Sequence, residues 1–225
     1  MTDPCPADGA APRNGYHHGD LRNTLIRVAV ELAVAGGPKA VVLREVARRA
    51  EVSAAAVYRH FPDREALLAE VKQHAREALG ESVIERLGRV PGDGEPGELT
   101  VARLRAVGEA YLDFAAAHQG LFATAFCHTG QAGTGDNGNS PEDVLKIPAL
   151  MKLAEILDDL VRHGLMDPAR RRGAQIAAWS TVHGLTALMD GPLVTIAPAA
   201  QAAIRQRTLD AVVAGLTADR TARPG

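Results

Sequence analysis

Residues Leu43 to Phe61, L-R-E-V-A-R-R-A-E-V-S-A-A-A-V-Y-R-H-F, predict two short helices joined by a tight turn. Apolar side chains recur at helical spacing in the first half, at Leu43, Val46, Ala47 and Ala50. Ser53 is a suitable N-cap for the second helix, because its hydroxyl can accept from the unpaired amides of the first turn. Val57 and Phe61 lie four residues apart and can both point inward.

The outward side of the second helix carries small and polar side chains, which suits insertion into the major groove of DNA. We expect Tyr58, His60 and Arg64 to contact phosphates. Arg44 and Arg59 are the candidates for reading guanine through paired hydrogen bonds. The alanines can pack on thymine methyl groups or simply allow close approach. The full set of expected DNA-contacting residues is Arg44, Ser53, Ala54, Ala55, Ala56, Tyr58, Arg59, His60 and Arg64.

Four features occur in order around this unit. They are a helix over Asp20–Ala35 ended by Gly36-Gly37, the A-x-x-A-x-V-S turn, the Y-R-H-F ending, and P-D-R-E-A-L-L at the next helix. In order and spacing they resemble the DNA-binding domain of the TetR family of bacterial regulators. The resemblance covers residues 16–75 and implies a regulator that binds double-stranded DNA.

Two positions depart from the family pattern. Val42 and Leu43 stand where the family has a Ser or Thr opening the second helix, so the cap hydroxyl is missing. Glu51 stands where the family has Gly, which adopts positive φ at lower cost than Glu does. The Glu51 charge also lies near the expected phosphates. We therefore expect weaker backbone contact without a change of fold.

The distribution of charge supports a nucleic-acid partner. The 225-residue chain has a formal net charge of −2, and 46% of its residues are hydrophobic. Between Arg13 and Arg64 nine Lys and Arg face five Asp and Glu, so this segment carries +4 and the remainder −6. A basic N-terminal third on an acidic body is typical of a protein in which one part meets phosphates.

Several classes of protein are disfavoured by the sequence. Two cysteines at Cys5 and Cys127 do not make a disulfide framework, and we expect a reducing cytoplasm. No signal peptide or apolar run of about 18 residues occurs, so no membrane partner is expected. Ser-His-Asp, H-E-x-x-H and phosphate-loop motifs are missing, and the glycines at 133, 135 and 138 lack a βαβ context. We predict no catalytic residues, no cofactor and no metal site.

The whole chain predicts an all-α fold. Residues 1–15 are expected to form a disordered arm, and residues 16–75 a three-helix helix-turn-helix domain. Residues 76–220 are expected to form a helical effector-binding and dimerisation domain. Pro148 either kinks a helix or marks where the main helix starts.

Small residues recur at spacings of three and four between Asp167 and Gly191, which predicts one helix with a smooth stripe. With the last helix, this stripe is expected to form a homodimer interface across a twofold axis; the alternative is packing inside one subunit. The predicted interface residues are Gly173, Ala177, Ser180, Gly184, Ala187, Leu209, Val212, Val213 and Leu216.

The segment W-S-T-V-H-G-L, with Trp179, His183 and Gly184, resembles the WHG-type ligand-binding domain of some TetR regulators. An unknown small-molecule effector is therefore expected, and it would shift the population between two dimer states. The predicted lining, for which ordinary core is the alternative, is Tyr111, Phe114, Phe122, Phe126, Met151, Trp179 and His183. His183 is also compatible with a hydrogen-bonded interior role. A different alternative is a metal or redox sensor that uses Cys127, His128 and His118.

Overall fold

A computed structural model describes residues 21–127 and 141–217, and every regular element within these ranges is helical, as predicted. The elements are α1 Leu21–Gly36, a 3-10 turn Pro38–Ala40, α2 Leu43–Arg49, α3 Ala54–Tyr58, α4 Arg64–Leu87, α5 Pro96–Ala117, α6 Gln119–Ala125, α7 Pro141–Leu145, α8 Pro148–Arg162, α9 Pro168–Arg171, α10 Ala174–Asp190 and α11 Pro198–Thr217. The expected arm at residues 1–15 and the glycine-rich loop before Ser140 lie outside the described residues.

Helices α1 to α3 and the start of α4 form a head, whose buried side chains are continuous with the core of the C-terminal helices. α1 buries Leu25, Val28 and Leu32 on one face, as its spacing predicts. Phe61 is only 1% exposed, and the Arg22 guanidinium lies 5.3 Å from its ring centroid. Arg22 also pairs with Glu70 of α4 at 2.7 Å. The ring and the ion pair together fasten α1 to the beginning of α4.

The turn between α2 and α3 has the geometry of a Schellman C-cap. The Val52 amide donates to the carbonyl of Ala47 at 3.0 Å, and the Glu51 amide donates to that of Arg48 at 3.3 Å. Glu51 occupies the left-handed position with φ of 55°. The expected cost of a Glu at this turn thus has a direct structural basis, because the position favours Gly.

The 24-residue helix α4 joins the head to the C-terminal helices and packs against α5, α6 and α8. A Cβ atom added to Gly80 would lie 2.6 Å from Cβ of Pro148, so the start of α8 crosses α4 closely at this glycine. Pro148 stands in the first turn of α8. Of the two predicted roles for Pro148, the structure has the helix start.

The C-terminal part packs α5, α8, α10 and α11 around a shared apolar centre. The prediction of one helix from Asp167 to Gly191 is wrong. The short α9 begins at its own cap, where the Asp167 carboxylate accepts from the Ala169 amide at 2.8 Å, and Gly173, with φ of 79°, separates α9 from α10. Gly173 fits the helical spacing of the stripe in the sequence, but in the structure it lies outside α10.

Candidate DNA-contacting surface and effector cavity

The recognition helix α3 presents a short, mostly exposed face. Ser53 caps it as predicted, with its hydroxyl accepting from the Ala56 amide at 3.2 Å. Tyr58 is 53% exposed, and Arg59 beside it is also exposed. Ala54 and Ala55 are exposed as well, and His60 is half-buried.

Ala56 is the exception, because the structure turns it inward. Its side chain is 8% exposed, so the expectation of three outward alanines is wrong for this residue. Ala56 precedes Val57, which is fully buried, and successive helical residues are only about 100° apart, so it flanks the inner face. Two alanines remain for close approach to a groove.

Ion pairs inside the head engage most of its cations and leave Lys39, Arg44 and Arg59 exposed and without an ion pair among the described residues. Glu45 accepts from Arg48 at 2.7 Å and from Arg49 at 2.9 Å, and these bonds lower the pKa of Glu45 to about 2. Arg44 and Arg59 are exposed, and neither forms an ion pair within the described part of the chain. They are the two residues for which base reading was predicted.

Arg64 has a different role from the expected phosphate contact in this structure. Its Nε donates to the carbonyl oxygen of Val41 at 2.8 Å, and Nη2 donates to that of Pro38. Both acceptors lie just before α2. The Arg64 side chain therefore fixes the entry to the helix-turn-helix unit from the first turn of α4.

The predicted lining residues separate into a cluster and two outliers. Around His183, the ring centroids of Phe126 and Phe122 lie at 4.9 and 5.7 Å. Tyr111 lies 5.3 Å from Phe122, and Trp179 lies 5.9 Å from Phe126. These five rings come from α5, α6 and α10 and are far apart in sequence.

The two outliers lie on other faces. Phe114 is buried on the side of α5 that faces α4 and α6, where it packs 5.0 Å from the ring of His118. Met151 is on the exposed side of α8. Neither residue lines a cavity with the aromatic cluster.

Hydrogen bonds connect the polar atoms of the cluster. Trp179 Nε1 donates to the Tyr111 hydroxyl at 2.9 Å, and the same hydroxyl lies 2.8 Å from His183 Nδ1. Burial lowers the pKa of His183 and raises that of Tyr111, so the imidazole and the phenol are both held neutral. The expected hydrogen bond of His183 is confirmed by this contact, and the side chain is half-buried.

Two spaces flank the cluster. One is a small apolar cavity of about 30 Å³ between α5, α8, α10 and α11, with room for about one water molecule. The other is an open cleft of about 480 Å³ between α5, α6, α10 and α11. Phe122, Phe126 and His183 form its inner wall. Of these two spaces, the cleft is the one with the size of a small-molecule site.

The predicted dimer residues also divide into two groups. On α10, Ala177, Ser180, Gly184 and Ala187 are exposed, as Gly173 is before it. On α11, however, Leu209 and Leu216 are buried inside the subunit, and Val212 and Val213 line the small apolar cavity.

The inward α11 residues have a packing reason. A Cβ atom added to Gly108 of α5 would lie 2.5 Å from Cδ2 of Leu209, so this leucine fills the space above the glycine. The buried leucines therefore offer no side-chain surface to a second copy. The α11 part of the predicted interface is wrong for Leu209 and Leu216.

The sequence reasoning missed a pair of buried cations on α4. Lys72 Nζ donates to the carbonyl oxygen of Cys127 at 3.0 Å, and Arg76 Nε donates to that of Ala125 at 3.0 Å. Burial lowers the pKa of Lys72 to about 8. The signal was a gap in the apolar stripe of α4 between Val71 and Leu79. These cations hold the C-terminal end of α6, where carbonyl groups have no helical partner.

The sensor alternative gains no support here. Among residues 21–127 and 141–217, no three His, Cys, Asp or Glu side chains lie together in a metal-binding arrangement. His128 lies outside the described residues. His118 is exposed, and burial raises the pKa of the half-buried Cys127. In the same described ranges, no helix has both the length and the apolar character needed to cross a bilayer.

Comparisons with solved structures give the same architecture. A protein of unknown function from Rhodococcus sp. RHA1 is 26% identical, with a TM-score of 0.70 over 91% of this chain and 100% of that chain. A tetR-family transcriptional regulator from Streptomyces coelicolor is 25% identical, with a TM-score of 0.61 over 88% and 84%. The regulator FadR from Bacillus subtilis, in complex with stearoyl-CoA, is 16% identical, with a TM-score of 0.61 over 86% and 98%.

Sequence families account for both parts of the chain. No curated protein matches it. The family described as bacterial regulatory proteins, tetR family, matches residues 25–71. A tetracyclin repressor-like C-terminal domain matches residues 104–216, which is half of the chain. The chain therefore belongs to the TetR family of transcriptional regulators, and it is a DNA-binding regulator and not an enzyme.

Proposed function

We propose that this protein is a ligand-responsive repressor that binds a palindromic operator as a homodimer in the cytoplasm. Residues 16–75 are assigned to DNA binding and residues 76–220 to effector binding and dimerisation. The observation that carries the proposal is that Arg44 and Arg59, on either side of the capped turn at Ser53, are exposed and form no ion pair with any residue that the structure describes. The neighbouring Arg48 and Arg49 are already paired with Glu45.

Sequence reading is assigned to Arg44 and Arg59, with Tyr58 and His60 on phosphates. Replacing Arg59 by Ala is expected to relax base preference and to cost about 1–3 kcal/mol of binding free energy, as for a bidentate guanine contact. The assay is selection of binding sites from a random duplex library, followed by binding titrations with the selected duplexes. Arg27→Ala is the matched control, because Arg27 pairs with Glu31 on α1 outside the helix-turn-helix unit. Unchanged base preference in Arg59→Ala would remove Arg59 from the readout.

Dimerisation is assigned to the exposed stripe of α10. Ile176 and Leu188 are 45% and 47% exposed, and Ser180 and Gly184 lie between them. A Cβ atom added to Gly184 would meet nothing within 4 Å in the subunit, so this smooth surface has room for a second helix. Two heads held on such a dimer would reach successive major grooves about 34–36 Å apart.

Gly184→Leu tests this interface, since the subunit itself tolerates the added side chain. We expect the variant to be monomeric in sedimentation and to lose operator binding, while its helical circular dichroism is retained. The control is Gly92→Leu, at a loop glycine that also has nothing within 4 Å. A Gly184→Leu protein that remains dimeric would place the interface elsewhere.

The sign of regulation needs its own test. A repressor predicts that deleting the gene raises transcription from the operator-bearing promoter, and that Arg59→Ala does so as well. An activator predicts a fall in both cases. The cleft of about 480 Å³ is the proposed effector site, since it has the size of a small-molecule site and three rings of the aromatic cluster line it. The likeness to FadR, a protein solved with stearoyl-CoA, supports only that this fold accommodates effectors.

A further inference from the structure

The direction of the hydrogen bonds behind the cleft is fixed by chemistry. An indole N–H can only donate, so the bond between Trp179 and Tyr111 uses one acceptor site of the phenol oxygen. The phenol keeps its own proton, and His183 Nδ1 is the one acceptor within its reach in the described part of the chain. The Tyr111 hydroxyl therefore donates to Nδ1.

This direction selects one tautomer of His183. A neutral imidazole carries one proton, and an accepting Nδ1 leaves it on Nε2. Burial disfavours the doubly protonated form, as the lowered pKa of His183 indicates. Within the described residues Nε2 has no hydrogen-bond acceptor, and His183 lies in the wall of the open cleft. The protein thus presents a neutral N–H donor toward the cleft.

We propose that the effector is a flat, uncharged aromatic molecule whose oxygen accepts a hydrogen bond from His183 Nε2. This inference rests on the proposed function, in which the cleft binds the effector. It adds the chemical class of the ligand, and it makes Tyr111 and Trp179 positioning residues for His183.

The aromatic part of the ligand follows from the rings around His183. Phe126 lies edge-on to the imidazole, with ring centroids 4.9 Å apart and planes at 66°, and Phe122 lies at 5.7 Å. Both rings line the cleft, together with methyl groups of the alanines on α5 and α6. Offset and edge-to-face contacts with such rings favour another ring over an aliphatic chain.

That the proposed ligand carries no net charge follows from the charged residues that line the cleft. Arg205 and Asp190 line it and are opposite in sign. Arg205 is also paired with Asp113, whose other oxygen accepts from Arg86. A carboxylate in the ligand would have to compete with Asp113 for Arg205 and would meet a neutral imidazole. An uncharged carbonyl or ether oxygen leaves these pairs intact.

The first experiment measures the tautomer in the full-length protein without a ligand. Nitrogen-15 NMR of labelled histidine distinguishes a protonated Nε2 from a protonated Nδ1 by the two nitrogen shifts. His183→Leu assigns the signal. We expect protonation at Nε2 in the wild type and an averaged pattern in Tyr111→Phe, which lacks the hydroxyl that donates to Nδ1. A proton on Nδ1 in the wild type would overturn the proposal.

The second experiment compares three bicyclic probes by calorimetry. 1-Tetralone has a ring and a carbonyl acceptor, tetralin has the same skeleton without the carbonyl, and 1-naphthoate carries a charge. We expect 1-tetralone to bind about tenfold more tightly than tetralin, because only the ketone satisfies the donor. In His183→Leu the two affinities should become about equal, while tetralin keeps its wild-type affinity. Naphthoate should be the weakest of the three.

The controls separate this proposal from the proposed function. Gln119→Leu removes a different polar side chain from the cleft and should leave the ketone preference unchanged. A preference that survives in His183→Leu, tightest binding of naphthoate, or no binding of either neutral probe would each overturn the ligand class. Operator binding by the same preparations reports on the regulator itself. Its loss, not the loss of probe binding, would count against the proposed function.

Discussion

Replacing Glu51 by Gly is expected to stabilise the protein, although Glu51 is exposed and its side chain makes no described hydrogen bond. The reason is its backbone. Glu51 has φ of 55°, and the amides of Glu51 and Val52 both donate back into α2 to close the cap. The φ value cannot relax without breaking these two bonds. The strain is therefore a property of the fold and not of a local rotamer.

The size of the effect is the difference between two terms. A residue with a Cβ atom loses about 1–2 kcal/mol in the left-handed region, which Gly does not. Gly also makes the unfolded chain more flexible, which costs about 0.4–1 kcal/mol of stability. The net gain is about 1 kcal/mol. For a chain of this size, that raises the Tm by about 2–4 °C.

Two further variants separate the effect of backbone strain at position 51 from the effect of the Glu51 charge. Glu51→Gln removes the charge and keeps the strain, so its stability should equal that of the wild type. Glu51→Asn should recover part of the gain, since Asn tolerates positive φ better than Gln does. Stability is measured by urea unfolding followed by circular dichroism. Equal stabilisation by Gly and Gln, or none by Gly, would refute the backbone account.

The same three variants give a separate expectation for DNA. Removing the Glu51 charge near the phosphates should strengthen binding to all duplexes by a similar factor. This gain should be shared by Gly, Gln and Asn at position 51, whatever their stability. Fluorescence anisotropy at two salt concentrations measures it. If only the Gly variant bound more tightly, the gain would come from the turn geometry and not from the charge.

Substitutions at four other positions have clear expected outcomes. Arg64→Ala loses hydrogen bonds to the Val41 and Pro38 carbonyls and should cost about 1.5–3 kcal/mol of stability in urea unfolding. An unchanged salt slope of DNA binding in the same variant would support this structural role over phosphate contact. Gly120→Ala should be destabilising, because the new Cβ would lie 2.7 Å from the backbone oxygen of Val34. Gly184→Ala has open space around the new Cβ, so thermal melts should show unchanged or improved monomer stability. Burial lowers the pKa of His183 below its ordinary 6.5, so as the pH falls the unfolded chain binds a proton at this imidazole before the folded protein does. The free energy of unfolding should therefore decrease below about pH 6.5. Measured from pH 7.5 to 5, this decrease should be smaller in His183→Leu.

Much of the head was predictable because its signals are local. The α1 stripe, the Ser53 cap and the inward Val57 and Phe61 depend on residues a few positions apart, and the structure confirms each. Ala56 was placed on the wrong side because a five-residue helix has no second turn to reveal which face is buried. The role of Arg64 was also hidden, since its acceptors are backbone oxygens 23 and 26 residues earlier.

The C-terminal part was less predictable because its contacts are distant in sequence. Small residues at helical spacing do not reveal that Gly173 adopts φ of 79° and breaks the stripe. An apolar face on α11 likewise does not say whether it meets its own subunit or a copy. Gly108 on α5 decides this for Leu209, and the two residues are about a hundred positions apart. The sequence shows which side chains are large and apolar, but it does not show which helix face each one occupies. Phe114 and Met151 were therefore assigned to the lining, although they lie on other faces of α5 and α8.

Helix α6 is where the proposed effector site meets the DNA-binding head. Phe122 of α6 and its C-cap residue Phe126 line the cleft, and the second residue of α6, Gly120, touches the last turn of α1 so closely that no Cβ atom fits. Its far end is held by Lys72 and Arg76 of α4 through carbonyl groups. Packed backbones at this distance cannot absorb a shift by changing rotamers, so a displacement of α6 must move α1, α4 or both. Phe61, at the end of the helix-turn-helix unit, lies against Arg22 of α1, and Arg22 also pairs with Glu70 of α4. We therefore expect a ligand that displaces Phe122 and Phe126 to change the orientation of α3 through both α1 and α4.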